Sequence, residues 1–157
     1  MIVDTNGTFD AWLSELDVGH RISTMENNDF GYLDLRRLNT FSLDVTQIRI
    51  GTCWSAGSTY SVSGYVYLPA GTGRVNRLYL GDDVRAAPFA LLDMAGTLLK
   101  VDELLDLRDT GANPTELSAR IRGKSCGLDL ATNVPITVTG PAKLRLVFEA
   151  APDPGED

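Results

Sequence analysis

The sequence is poor in the residues that usually carry chemistry. Among its 157 residues there is one histidine, His20, and there are two cysteines, Cys53 and Cys126. A single histidine in a polar stretch, with no serine or cysteine motif beside it, leaves no Ser-His-Asp or Cys-His arrangement, and His20 reads as a surface residue. Two thiols cannot complete a four-ligand zinc site. Neither cysteine has a neighbouring histidine or helix start to activate it, and both are expected to be free and buried rather than bridged. No apolar run approaches the roughly 20 residues that span a bilayer. Met1 to Thr5 has neither a basic segment nor an apolar core, so no secretion signal is expected. The net charge is −7, and of the 14 Lys and Arg only Arg36 and Arg37 are adjacent. Phosphate backbones need a clustered basic face, so neither nucleic acid nor membrane is an expected partner. Gly123-Lys124-Ser125 ends like a phosphate-binding loop, but Ser118 stands where the pattern needs glycine. Asp82-Asp83 and the group Asp102, Glu103, Asp106 and Asp109 do not form an Asp-x-Asp-x-Asp-Gly calcium loop, and they read as solvated turn carboxylates. No metal, cofactor or catalytic residue is expected, and the chain does not read as an enzyme.

Alternation is what the sequence does have. Val62, Gly64, Val66 and Leu68 share one face of an extended segment with Tyr60, and Ser61, Ser63, Tyr65 and Tyr67 share the other. Pro69 to Gly73 reads as a turn into Val75–Leu80, so these two segments are predicted to form a hairpin. Tyr32–Arg36, Phe41–Val45, Leu117–Arg122 and Lys143–Glu149 alternate as well. The apolar phase slips between Val45 and Ile48, which predicts a bulge or tight turn near Thr46-Gln47. Residues 98–107 fit either a helix or an edge strand, with strand plus turn preferred, and Pro135 marks Val134–Val138 as an edge strand. Phe9, Trp12, Leu13 and Leu16 fall at the spacing of one helix face and predict a short amphipathic helix. Eight or nine strands at about ten-residue spacing, with no internal repeat, predict an all-β fold: an antiparallel jelly-roll-type β-sandwich with that N-terminal helix. The organisation expected is an N-terminal helix and polar arm over 1–31, a sandwich domain over 32–150, and an acidic Pro-rich tail over 151–157 with the composition of a disordered end.

The stretch from Trp54 to Tyr67, with its Thr59-Tyr60-Ser61-Val62-Ser63 core, resembles a strand of carbohydrate-binding-module-like jelly rolls. Pro141–Glu149 looks like the closing strand of that family, and the resemblance covers roughly residues 41–150. Such domains also recur in bacteriophage structural proteins. The resemblance implies a non-catalytic virion component, of the capsid-decoration or spike kind, made in a host cytoplasm and partnered by other virion proteins or by copies of itself. Residues 1–31 lie outside the resemblance; the apolar stripe of Phe9, Trp12, Leu13 and Leu16 is expected either to cover an open end of the sandwich or, in an assembly, to dock on a neighbouring chain. The alternative it implies is a carbohydrate-binding module; the strand's alternation itself marks Tyr65 and Tyr67, with Trp54 on the loop before, either as exposed aromatics that stack on sugar faces or as rings packed under a covering loop or helix.

Overall fold

The structure is a computed structural model that describes residues 7–21, 29–53, 62–81, 89–108, 118–139 and 143–149. These residues are all strand and connection. In chain order the strands are β1 (Thr8–Arg21), β2 (Asp29–Asp34), β3 (Thr40–Cys53), β4 (Val62–Leu68), β5 (Gly71–Leu80) and β6 (Phe89–Ala95). They continue as β7 (Thr97–Arg108), β8 (Ser118–Lys124), β9 (Gly127–Leu130), β10 (Ile136–Thr139) and β11 (Lys143–Glu149). The chain alternates between two sheets. The first has the order β1-β3-β5-β7-β10, with β9 also on β7, and the second has the order β11-β8-β6-β4-β2. Every pairing is parallel. Each circuit lays one strand on each sheet and stacks it, about 30 residues later, on the rung before. The architecture is a β-solenoid.

This corrects the expected antiparallel jelly-roll sandwich. The segments on either side of Pro69 do not pair with each other: β4 lies between β2 and β6, and β5 lies between β3 and β7. The short connection at Pro69-Ala70 is a corner that carries the chain from one sheet to the other. Gly71 N–H donates to the Gly96 carbonyl there, one corner stacked on the next. Gly96 turns the chain from β6 into β7 with a positive φ of 76°.

The predicted helix over residues 8–16 is instead part of β1. Its apolar residues have helical spacing because the strand changes phase midway. Phe9, Ala11 and Leu13 fall on the core side, Ser14 and Glu15 both fall outside, and Leu16 and Val18 return to the core, while Trp12 points outward. The same slip recurs in the neighbouring strand between Val45 and Ile48, both buried, with exposed Thr46 and half-buried Gln47 between them. In β5 it lies between Val75 and Leu78, where the register with β7 also shifts. A strand that turns its apolar side chains inward on both sides of such a slip bends around the core. On the last rung the bend becomes a break, with β9 pairing with Leu98–Val101 and β10 with Leu105–Arg108. The ambiguous stretch 98–107 is the strand β7. Residues 151–157 and Trp54 lie outside the described residues.

The core consists of ladders, one side chain per rung. Leu16, Ile48, Leu78, Leu105 and Ile136 form one, and Leu33, Val66, Leu92, Ile121 and Leu146 form another. Their middle members are sealed from solvent, and each such Leu or Ile contributes about 1.5–3 kcal/mol by leaving water. Along one seam the two sheets touch backbone to backbone. Gly19, Gly51 and Gly81 stack in register at the exit of β1, β3 and β5, with φ of 64°, 63° and 65°. L-residues with a Cβ rarely occupy that left-handed region. Facing them on the second sheet stand Gly31 and Gly64. A Cβ built on Gly31 would fall within the backbone of Gly19, and one on Gly64 would meet Gly51 N and the Val18 carbonyl.

Candidate ligand-binding face

Parallel in-register stacking places like residues above one another, and on the outer face of the second sheet this collects aromatics. In β4 the buried residues Val62, Gly64, Val66 and Leu68 alternate with Ser63, Tyr65 and Tyr67, which face outward and are half-buried. The expected division of this strand therefore holds. Register adds what spacing along one strand could not show: Tyr32 of β2 lies beside Tyr65, and Asp34 beside Tyr67. The Tyr32 ring centroid is 6.5 Å from that of Tyr65 and 5.2 Å from that of Tyr67, with the rings tilted at 41° and 44°. Phe30, on the same face of β2, is 78% exposed, and Tyr32 is 47% exposed. Phe30 and Tyr32 were not among the candidates read from the sequence, because the patch becomes visible only when two segments about 33 residues apart are set side by side.

Charged groups close the patch on one side. Arg36 donates from Nε and Nη2 to the two carboxylate oxygens of Asp34, at 2.9 and 2.6 Å, and its guanidinium lies 4.3 Å from the Tyr67 ring centroid. The paired fork is the strong geometry for this ion pair, and the stacked cation occupies one face of Tyr67. The Tyr32 hydroxyl donates to Asp34 Oδ2 at 3.3 Å. These bonds to the charged carboxylate, led by that from Arg36, hold the Asp34 carboxyl down at about 2. The Tyr32 hydroxyl is pushed up, first by loss of solvent and then by the Asp34 charge. Further along the sheet Leu91 stands next to Tyr65, but it is buried and ends the accessible aromatics. Asp93 follows Tyr67 in register and pairs with Arg122 of the next rung, Nη2 to Oδ2 2.7 Å. What results is an open aromatic surface with fixed donors and acceptors at its margin.

The other residues singled out from the sequence lie apart from it. Phe9 stacks on Phe41, ring centroids 5.9 Å apart at 15°, and packs against the core, as does half-buried Leu16. Trp12 is 85% and Leu13 38% exposed, both on β1 at the first rung. The four therefore do not form one face: Phe9 and Leu16 hold the rung together, whereas Trp12 and Leu13 are open. Cys126 is a free, half-buried thiol, its pKa pushed up by burial. Asp102 is held by Arg74 and Lys100, and Glu103 by Arg77. Among the described residues no group of three His, Cys, Asp or Glu is placed to hold a metal ion. No described helix is long and apolar enough to cross a membrane.

Neither the protein-family models, nor the curated proteins, nor the solved structures contain a match to this chain.

Proposed function

We propose that this chain is a non-catalytic carbohydrate-binding module, with a sugar chain lying across Phe30, Tyr32 and Tyr65 on the outer face of the second sheet. The observation that carries the reading is the exposed two-rung aromatic patch bordered by the Asp34–Arg36 fork. Sugar rings present C–H faces that pack on aromatic rings, and hydroxyls that bond to carboxylates and guanidinium groups. Tyr67 has the Arg36 guanidinium over its ring and Tyr32 5.2 Å away, so it borders the platform rather than forming its centre. The net charge of −7 favours neutral over anionic glycans. Both readings that the jelly-roll resemblance implied lose that support, since the fold is a solenoid, and the carbohydrate reading is preferred because the aromatic face supports it independently.

A screen of neutral oligosaccharides against the full chain, followed by calorimetry on the best binder, tests this. Tyr32→Ala and Tyr65→Ala should each weaken binding about tenfold, equivalent to ~1.4 kcal/mol. Tyr79→Ala, on the first sheet, should not change it. Failure of every neutral glycan to bind, or an unchanged affinity in the Phe30→Ala/Tyr32→Ala/Tyr65→Ala triple variant, would refute the proposal.

A further inference from the structure

The Asp34–Arg36 fork borders the aromatic patch, but its hydrogen-bonding capacity is already used. Asp34 Oδ1 accepts from the Arg36 backbone N–H and from its Nε, and Oδ2 accepts from Arg36 Nη2 and the Tyr32 hydroxyl. A carboxylate has about four lone-pair sites, so these bonds leave Asp34 little to offer a ligand. Arg36 in turn lies over the Tyr67 ring. The fork sets the positions of Tyr32 and Tyr67 and leaves the binding of hydroxyls to other groups.

A second Asp–Arg pair on the same face is differently placed. Asp34, Tyr67, Asp93 and Arg122 lie side by side on successive rungs, so Asp93 stands one rung past Tyr67 on the side away from Asp34. Arg122 reaches Asp93 with Nε at 2.8 Å and Nη2 at 2.7 Å, and both contacts fall on Oδ2. Among the described residues nothing donates to Asp93 Oδ1 and nothing accepts from Arg122 Nη1. The two side chains are 18% and 42% exposed. Their charges cancel, so the pair offers one acceptor and one donor without net charge, which suits the hydroxyls of a neutral sugar.

Spacing sets the direction. Neighbouring strands lie about 4.8 Å apart, so the path from Tyr32 past Asp93 to Arg122 runs about 10 to 15 Å along the solenoid axis. An extended glycan advances by close to one rung per sugar. A chain laid along the axis therefore meets Tyr32 and Tyr65 first and the Asp93–Arg122 pair next.

We propose, resting on the carbohydrate reading of this face, that Asp93 and Arg122 bind the sugar hydroxyls and that the ligand is an extended linear neutral glycan lying along the solenoid axis. Asp93 Oδ1 accepts from one hydroxyl and Arg122 Nη1 donates to another oxygen, while Tyr32 and Tyr65 stack under the preceding sugars.

Calorimetry on the full chain with disaccharides and hexasaccharides of glucan, mannan and xylan tests this. In the series that binds best, the hexasaccharide should bind about tenfold or more tighter than the disaccharide, because it alone spans from Tyr32 to Arg122. Asp93→Ala/Arg122→Ala should remove most of that advantage, with circular dichroism matching the wild type to show that the variant is folded. Arg74→Ala/Asp102→Ala, which removes an ion pair of the same kind from the first sheet, should leave hexasaccharide affinity unchanged. Equal affinity for the two lengths overturns the proposal and needs no variant to read. So does a folded Asp93→Ala/Arg122→Ala variant that holds the hexasaccharide as tightly as the wild type. If Tyr32→Ala still weakens binding in either case, the aromatic platform stands and only the pair and the direction fail; if no neutral glycan binds, both fall.

Discussion

Replacing Gly64 with alanine probes the seam where the sheets meet. The added Cβ would lie against Gly51 N, the Val18 carbonyl and, at 2.8 Å, Ile50 Cγ2. Two of these are backbone atoms of the opposite sheet that cannot rotate aside, so the sheets must part or the strand must buckle. Overpacking of a tight interior costs about 1–3 kcal/mol, and contact with immovable backbone places this site at the upper end, near 3 kcal/mol. The strand does not itself forbid a Cβ, since Ala90 and Ala119 occupy the same position on the next two rungs. Gly73→Ala is the internal control. Its Cβ would meet only the ends of side chains, Leu99 Cδ1 at 2.8 Å and Phe41 Cε1 at 3.7 Å. Its φ is not left-handed, so the lost freedom of the unfolded chain returns about 0.4–1 kcal/mol, and the net effect should lie within about 1 kcal/mol of zero. For a domain of this size 1 kcal/mol moves the melting midpoint by about 2–4 °C. Gly64→Ala should therefore melt roughly 6–12 °C below the wild type when followed by circular dichroism, and Gly73→Ala within a few degrees of it. Equal losses in the two variants, or a Gly64→Ala midpoint within 2 °C of wild type, would mean that the sheets are not in backbone contact at this seam.

Arg49 of β3 is buried, and it donates to Asp17 Oδ2 at 2.9 Å and Glu15 Oε2 at 3.2 Å, both on β1. Burial alone would lower its pKa, but the hydrogen bond it donates to Glu15 and the two charges outweigh that and raise it. Removing both carboxylates with Glu15→Gln/Asp17→Asn should cost about 3 kcal/mol in urea unfolding, because the cation stays buried, whereas Arg49→Met should cost less; the reverse order would refute this account. Leu78→Ala, at a sealed middle rung, should cost about 2–5 kcal/mol in the same assay, and Leu146→Ala, half-exposed at the end, under 1 kcal/mol. The Asp34 carboxyl titrates at about 2 in the folded chain, against about 3.9 unfolded, so its contribution to stability is full above pH ~4 and disappears as the pH falls toward 2. Because the pair with Arg36 is half-exposed, that contribution should stay below about 1 kcal/mol. Carboxyl NMR should place the Asp34 midpoint near 2, and Asp34→Asn should flatten stability across this window; a midpoint near 4 would show that the fork is not formed in solution.

Much of the strand content was legible because alternation depends only on which face of a strand is wet. The phase slip at Val45 to Ile48 was legible for the same reason. Strand direction was not, and residue pattern misled here for a physical reason. Parallel sheets usually lie between helices and read as continuous apolar runs, but in a solenoid one face of each sheet is open, so its strands alternate as antiparallel ones do. The turn at Pro69-Ala70 added to this, since a short corner between two sheets has the composition of a hairpin loop. Direction was nonetheless encoded in a repeat that spacing along single segments does not reveal. Thr8-Phe9 and Thr40-Phe41 stack on each other, Val18-Gly19, Ile50-Gly51 and Leu80-Gly81 recur near the ends of three neighbouring strands of the first sheet, and Gly31-Tyr32 lies on Gly64-Tyr65. Lining up these glycines sets the period near 30 residues, and within that period the two Gly-Tyr pairs bring Tyr32 to Tyr65. The helix expected at residues 8–16 fails by the same comparison, because Phe9, Leu13 and Leu16 match Phe41, Val45 and Ile48 of the slipped strand β3, while Trp12 lies beside Asp44 on the outer face.

Stacking in register also explains why the aromatic face and the two ends share one origin. A parallel ladder adds each rung with the same side chains facing the same way, so a favourable contact between two rungs is available again at the next. Phe9 on Phe41, Tyr32 beside Tyr65 and the Thr8–Thr40 hydroxyl pair, 2.8 Å apart, are contacts of this kind. The same repetition cannot stop itself. A sheet closed into a barrel satisfies its last strand with its first, whereas a solenoid carries its unpaired edges and open core ladders to two distant ends. Here Leu13 at one end and Ile136 and Leu146 at the other are what an added rung would cover.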